Sequence, residues 1–162
     1  SFLPTMDTFA SGSIRNQLAA IYKRNLETEH PFRIYLCSHD SAKESFELFL
    51  DKQPGMKSWV GFSNHPTTEI HSLYSNPSLP VIYLSPDAEE ELTEVDHQHI
   101  YVIGGICDRD RAPNTTKGKC DDLGLQSRKL PIDSHVSLNG TKILTINAVF
   151  SILCSYLETK NW

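Results

Sequence analysis

The sequence predicts an α/β fold, a mostly parallel sheet with helices on both faces. Three observations carry this expectation. Short apolar runs rich in strand formers recur at Phe32 to Cys37, Val81 to Leu84 and Ile100 to Gly104. Between them lie segments with apolar residues at helical spacing or with helix-start signals. Strands that alternate with helices imply a parallel sheet buried on both sides.

Each element has its own justification. Ile14, Leu18, Ile21 and Tyr22 fall at helical spacing, which predicts an amphipathic helix over roughly Ser13 to Lys23. Phe32 to Cys37 should then be a buried strand. Ser41-Ala42-Lys43-Glu44 has capping-box spacing and leads into a helix with Ala42, Phe46, Phe49 and Leu50 on its apolar face. Trp59 to Phe62 reads as a short strand, and Asn64 to Pro80 as an irregular, turn-rich excursion. Val81 to Leu84 is a buried strand. Ser85 suits a helix N-cap, with Pro86 at the first helical position and acidic residues following, as the helix dipole prefers. Ile100 to Gly104 is the next strand, Asn114 to Leu123 a helix stopped by Gly124, and Ser127 to Leu130 a strand. Val136 to Leu144 contains the tight-turn pair Asn139-Gly140. Thr145 caps a last helix striped with Ile146, Val149, Phe150, Leu153 and Leu157.

At 162 residues the chain reads as one domain, 1–162, large enough to bury a core. No run approaches a membrane span. Cys37, Cys107, Cys120 and Cys154 are scattered, without a C-x-x-C pair. They read as reduced thiols of an intracellular protein rather than a disulfide frame or zinc site. The net charge of −5 argues against a simple polyanion binder. The charge is uneven, however: residues 1–102 carry 7 basic and 14 acidic side chains, and residues 103–162 carry 8 basic and 6 acidic.

The chemistry-bearing residues cluster in the last third. Gly104-Gly105 at a strand end permits close approach of backbone to a ligand, although a plain tight turn explains it as well. Neither a dinucleotide fingerprint nor a phosphate loop is present. Asp108, just beyond, is either a base at a pocket mouth or a loop acid paired with Arg109 or Arg111. His97 and His99 would share a face on a strand but lack a third ligand, so no metal site is expected. No G-x-S-x-G anchors serine chemistry. The glycosylation-type triplets at Asn114 and Asn139 read as chance.

Val81 to Asp87, Tyr101 to Asp108, Leu123 to Leu125, Arg128 to Asp133, Lys142 to Val149 and Tyr156 to Trp162 together resemble the SPOUT-class tRNA methyltransferases that modify the purine at the ninth tRNA nucleotide. The resemblance covers about half of the chain. Ser1 to Met6 resembles the segment just after that family's first strand. On that alignment the strand, a basic N-terminal extension and a C-terminal tail would lie outside this chain.

The resemblance implies a SPOUT fold with a deep trefoil knot near the C-terminus, an exception to unknotted topology. It implies S-adenosylmethionine as cofactor, with Leu84, Gly104, Leu130, Lys142, Ile143 and Leu144 lining its pocket largely through backbone. Asp108, Arg109, Asp110, Arg111 and Ala112 would form the loop facing the methyl donor, and Thr116 would fall near the adenosine. Asp108 matches the family's proposed general base.

The function then expected is methyl transfer to N1 of the purine, guanine first, at position 9 of tRNA. Arg109, Arg111, Lys117, Lys119, Arg128 and Lys129 would contact phosphate. A monomer without metal or membrane contact is expected, in nucleus or cytoplasm ahead of mitochondrion. The alternative is a non-catalytic RNA-binding or assembly subunit that keeps the knot; the divergent loop Arg109 to Thr116 and the acidic surface motivate it. A generic nucleotide-binding α/β domain ranks third.

Overall fold

The structure is a computed structural model, and it describes residues 8–37, 55–65, 79–104, 118, 121, 124–135 and 144–162. The chain forms two compact units, Ser1–Asn76 and Pro77–Trp162. Every strand pair among the described residues is parallel.

In the first unit, helix α1 spans Thr8–Leu26 and buries Leu18 and Ile21, two of the four apolar positions that announced it. Asn25 is buried at its end, which a polar side chain tolerates only when its hydrogen bonds are met. They are: Asn25 Nδ2 donates to the Phe32 carbonyl at 2.8 Å, and the Phe32 N–H donates to Asn25 Oδ1 at 2.8 Å. The amide thus behaves like a strand edge and fixes where the chain leaves α1 for β1, Ile34–Cys37. This strand was expected to be buried. Its residues are half-buried, with Tyr35 exposed, and among the described residues it pairs with β2, Phe62–His65.

The strand expected at Trp59 to Phe62 starts later. A 3-10 turn covers Met56–Ser58, and Gly61 takes φ +74, a left-handed backbone that closes the turn ahead of β2. Its carbonyl accepts the Ile34 N–H at 2.8 Å. Trp59 stacks on Tyr22 of α1 instead of joining the sheet, with ring centroids 4.1 Å apart. The helix expected on Ala42, Phe46, Phe49 and Leu50 lies outside the described residues, as do residues 66–78 of the turn-rich excursion.

In the second unit, β3 (Val81–Leu84), β4 (Ile100–Ile103) and β5 (Gln126–Arg128) form a sheet in the order β4-β3-β5. The central strand is the most apolar and the best buried. The helix expected after Ser85 is absent. Ser85 instead closes a turn, accepting the Asp87 N–H on Oγ at 3.3 Å and the Ala88 N–H on its carbonyl at 3.3 Å. The physical reason is tertiary. The Glu90 carbonyl accepts the Lys129 N–H at 2.9 Å, and the Leu92 N–H donates to the Lys129 carbonyl at 2.8 Å. A helix would have consumed those groups internally.

Gly118 and Asp121, the described residues of the expected helix Asn114 to Leu123, are helical. Gly124 follows at φ +62, and its N–H bonds the Asp121 carbonyl at 3.0 Å, the stop its sequence position predicts. A short helix α2, Ile132–His135, was not anticipated, and the turn expected at Asn139-Gly140 is outside the described residues. Helix α3 spans Ile146–Thr159 and buries Phe150, Leu153 and Cys154. Thr145 occupies the N-cap position expected of it, extended and with its carbonyl accepting the Val149 N–H at 3.0 Å, but its side chain makes no capping bond.

Candidate functional site at the carboxyl edge of the three-stranded sheet

Parallel strands all end on the same side, and their last residues present backbone groups that no further strand pairs. Ligands of open α/β sheets collect there, beside strands where the chain reverses its order across the sheet. In this unit β4 and β5 flank β3, so the reversal falls at β3.

The register fixes which residues meet. Leu84, the last residue of β3, pairs with Ile103 of β4 and with Arg128 of β5. Gly104 directly follows Ile103, and Leu130 lies two residues past Arg128. Leu84, Gly104 and Leu130, three of the residues expected to line a cofactor pocket, therefore share one edge. Leu84 is buried, whereas Gly104 and Leu130 are half-buried. Pro131 is buried next to Leu130, and Pro favours an extended backbone in the residue before it. The Leu130 carbonyl is held by the Ile132 N–H at 2.8 Å.

A strap formed by Ser85 to Leu92 borders this edge. The Ser85 N–H donates to the Arg128 carbonyl at 3.0 Å, and Glu91 pairs with Lys129 in a parallel bridge. Arg128 Nη2 lies 2.9 Å from Glu90 Oε2, and Nη1 donates to the Ser127 carbonyl at 2.9 Å. Sequence reasoning missed Ser85 and Glu90 as parts of this edge. The signal that could have found them is the acidic run Glu89 to Glu91 facing the basic pair Arg128-Lys129.

Leu144 stands at the head of α3, one residue before Thr145. Asp108, Arg109, Asp110, Arg111, Ala112, Thr116, Lys117, Lys119, Lys142 and Ile143 lie outside the described residues. A groove of about 240 Å³ lined by Ser151, Ile152, Ser155, Tyr156, Asn161 and Trp162 includes none of the expected cofactor residues.

His97 and His99 do not share a strand face. They sit in a bend that precedes β4. His99 Nδ1 lies 2.7 Å from Asp96 Oδ1, which also accepts the Gln98 N–H at 2.8 Å. Burial alone would raise the Asp96 carboxyl. The hydrogen bonds from His99 and the Gln98 amide, with the nearby His99 charge, hold it below the usual carboxylate range. The Tyr101 hydroxyl accepts the Asp96 N–H at 3.0 Å. Burial, with the neighbouring Asp96 charge, pushes that hydroxyl up to about 12. Among the described residues, no group of three metal-ligating side chains occurs.

Comparison with known proteins gives the geometry a context. The family model described as tRNA (guanine(9)-N(1))-methyltransferase TRM10/TRM10A matches residues 1–162. The tRNA (guanine(9)-N1)-methyltransferase of Schizosaccharomyces pombe is 30% identical over 151 residues, covering 93% of this chain and 49% of that protein. The human tRNA methyltransferase 10 homolog A is 30% identical over 149 residues, covering 92% of this chain and 42% of that protein. The chain thus spans about half the length of these curated relatives. The crystal structure of spTrm10 (full length) as an SAH complex superposes with a TM-score of 0.81 at 29% identity, covering 97% of this chain and 83% of that one. A dual-specific Trm10 from Thermococcus kodakaraensis, at 18% identity and a TM-score of 0.69 over 97% of this chain and 87% of that one, shares the fold. A match along the whole sequence and an α/β architecture of parallel strands common to these structures make the chain a member of the SPOUT-class tRNA (guanine(9)-N(1))-methyltransferase TRM10/TRM10A family.

Proposed function

We propose that this chain is the methyl-transfer domain of a tRNA methyltransferase, taking the methyl group of S-adenosylmethionine to N1 of guanine nine. The observation that carries the reading is the convergence of Leu84, Gly104 and Leu130 on one sheet edge in a chain of this family. That edge fits the cofactor chemically. Its groups are backbone N–H and C=O, which suit the donor and acceptor edge of an adenine, and Gly104 has no side chain to obstruct approach. Lys142, Ile143 and Leu144 would complete the pocket, and the loop Asp108 to Ala112, with Thr116, would face the methyl donor. The knotted path and the single-domain organisation of residues 1–162 belong to the same reading.

When bound, the sulfonium cofactor supplies an activated methyl group. The chain supplies orientation and a proton acceptor. Guanine N1 carries a proton and becomes nucleophilic as it leaves, and the Asp108 carboxylate would take that proton. The bond from N1 to the methyl carbon would form as the sulfur–methyl bond breaks, leaving the thioether S-adenosylhomocysteine. Holding N1 within attack distance of the methyl carbon would account for most of the acceleration. Arg109, Arg111, Lys117, Lys119 and Lys129 would contact tRNA phosphates, and recognition would be by shape. The protein would work as a monomer, in nucleus or cytoplasm.

Mass spectrometry of nucleosides from tRNA incubated with the protein and methyl donor tests the reading. The expected product is 1-methylguanosine at position 9; unmodified tRNA would sink the proposal. Asp108→Asn should slow transfer by about 10²–10⁴-fold, the usual span for a general base, and leave cofactor affinity near that of the unsubstituted chain. Equal loss of both would remove Asp108 from the base role. The net charge of −5 favours a second reading, a non-catalytic RNA-binding or assembly subunit. Calorimetry with S-adenosylmethionine separates the two, because the scaffold would not bind it.

A further inference from the structure

We propose that Arg128 and Glu90 form a positioning clasp for the cofactor edge, and that Arg128 is not a phosphate ligand. The inference rests on the methyl-donor reading of that edge. The Ser85 to Leu92 strap is pinned near both ends by main-chain bonds. Ser85 N–H reaches the Arg128 carbonyl at its start, and Leu92 N–H reaches the Lys129 carbonyl at its end. Between them, the Glu90 carbonyl takes the Lys129 N–H, and its carboxylate takes the Arg128 guanidinium at 2.9 Å. The strap begins at the residue after Leu84, and the segment it pairs with, Arg128-Lys129, ends at the residue before Leu130. One side-chain pair therefore ties together the chain segments next to two of the three edge residues.

The geometry argues against a phosphate contact. The guanidinium already serves the Ser127 carbonyl and the Glu90 carboxylate, with a quarter of the side chain exposed. The Glu90 carboxylate, 2.9 Å from Nη2, sets a like charge beside any phosphate that approached the guanidinium. Glu90 is itself largely exposed, so the pair should tune the edge rather than hold the fold.

The test compares Arg128→Ala, Glu90→Ala, their double variant and the charge swap Arg128→Glu with Glu90→Arg. S-adenosylhomocysteine affinity is read by calorimetry, and tRNA affinity across a salt series. The clasp predicts that each single variant weakens S-adenosylhomocysteine binding about threefold, as expected for a solvent-facing ion pair. It predicts that the double variant does no worse than either single and that the swap restores affinity. KM for the methyl donor should rise with kcat unchanged, and the salt slope of tRNA binding should not move. If Arg128→Ala leaves S-adenosylhomocysteine binding intact but flattens the salt slope by about one, Arg128 is a phosphate ligand and the clasp is overturned while the methyltransferase reading stands. A swap that fails to restore affinity overturns the pairing. If the unsubstituted chain binds no S-adenosylhomocysteine, the parent reading fails and the clasp with it.

Discussion

Three buried or half-buried polar groups show how single residues set this structure. Asn25 makes both hydrogen bonds of its amide to Phe32, at 2.8 Å each. Removing it leaves the Phe32 N–H and carbonyl without those partners, and an unmet buried group costs about 1–3 kcal/mol. Asn25→Ala should therefore lower stability by about that amount, read as a drop in the urea midpoint at unchanged slope. No change would mean that water replaces the amide. Asp96 and Tyr101 make stability depend on pH at opposite ends. Asp96 has a folded pKa below its unfolded value, so its contribution is present above about pH 4 and fades as pH falls further. Tyr101 has a folded value raised to about 12 from 10, so its contribution is intact below pH 10 and is lost as pH climbs toward 12. Tyr101→Phe should flatten the alkaline limb of a melting-temperature profile and leave the acid limb in place. An unaltered alkaline limb would show that other groups govern it.

Elements were legible where local chemistry and tertiary partners agree. Val81 to Leu84 is apolar throughout, and it is the buried central strand with the bounds its sequence announces. Gly124 is the same kind of case. It holds φ +62, and a Cβ built there meets nothing within 4 Å. Gly124→Ala should thus lose only the left-handed backbone preference, about 1–2 kcal/mol, measurable by chemical denaturation. A neutral result would mean the turn relaxes to negative φ. Elements were illegible where partners distant in sequence decide. Ser85-Pro86 followed by acids is a sound helix start, yet the strap gives its main-chain groups to Lys129. Helix α2 was not announced either, although proline, here Pro131, sits comfortably just ahead of a helix. The candidate site divides in the same way. Leu84 and Gly104 are strand-end residues, and strand ends can be placed from apolar runs. The pairing of Arg128 with Glu90 depends on which strands neighbour each other, and that order is written nowhere locally.

At the scale of the whole molecule, the net charge of −5 has to be reconciled with a proposed polyanionic substrate. Net charge governs long-range approach, whereas affinity follows the number of phosphates that cations neutralise. Residues 1–76 carry 7 basic side chains among 8 acidic ones, and residues 77–162 carry 8 basic among 12 acidic. Neither unit is basic as a whole, so binding must come from a local cluster. With Arg128 committed to Glu90, the cluster proposed for phosphate contact is Arg109, Arg111, Lys117, Lys119 and Lys129. At roughly 0.7–0.9 of a counterion released per neutralised phosphate, it predicts a log–log salt slope for tRNA binding no steeper than about −5. Affinity should then fall by at most about a thousandfold between roughly 50 and 200 mM salt. Filter binding across that range measures it directly. Replacing Lys119 by alanine should flatten the slope by about one and weaken all tRNAs alike, because a phosphate contact carries no sequence information. A slope much steeper than −5, insensitive to these five side chains, would move the phosphate contacts to the basic residues of α1, whose Arg15, Lys23 and Arg24 are the next densest cationic group on a described element.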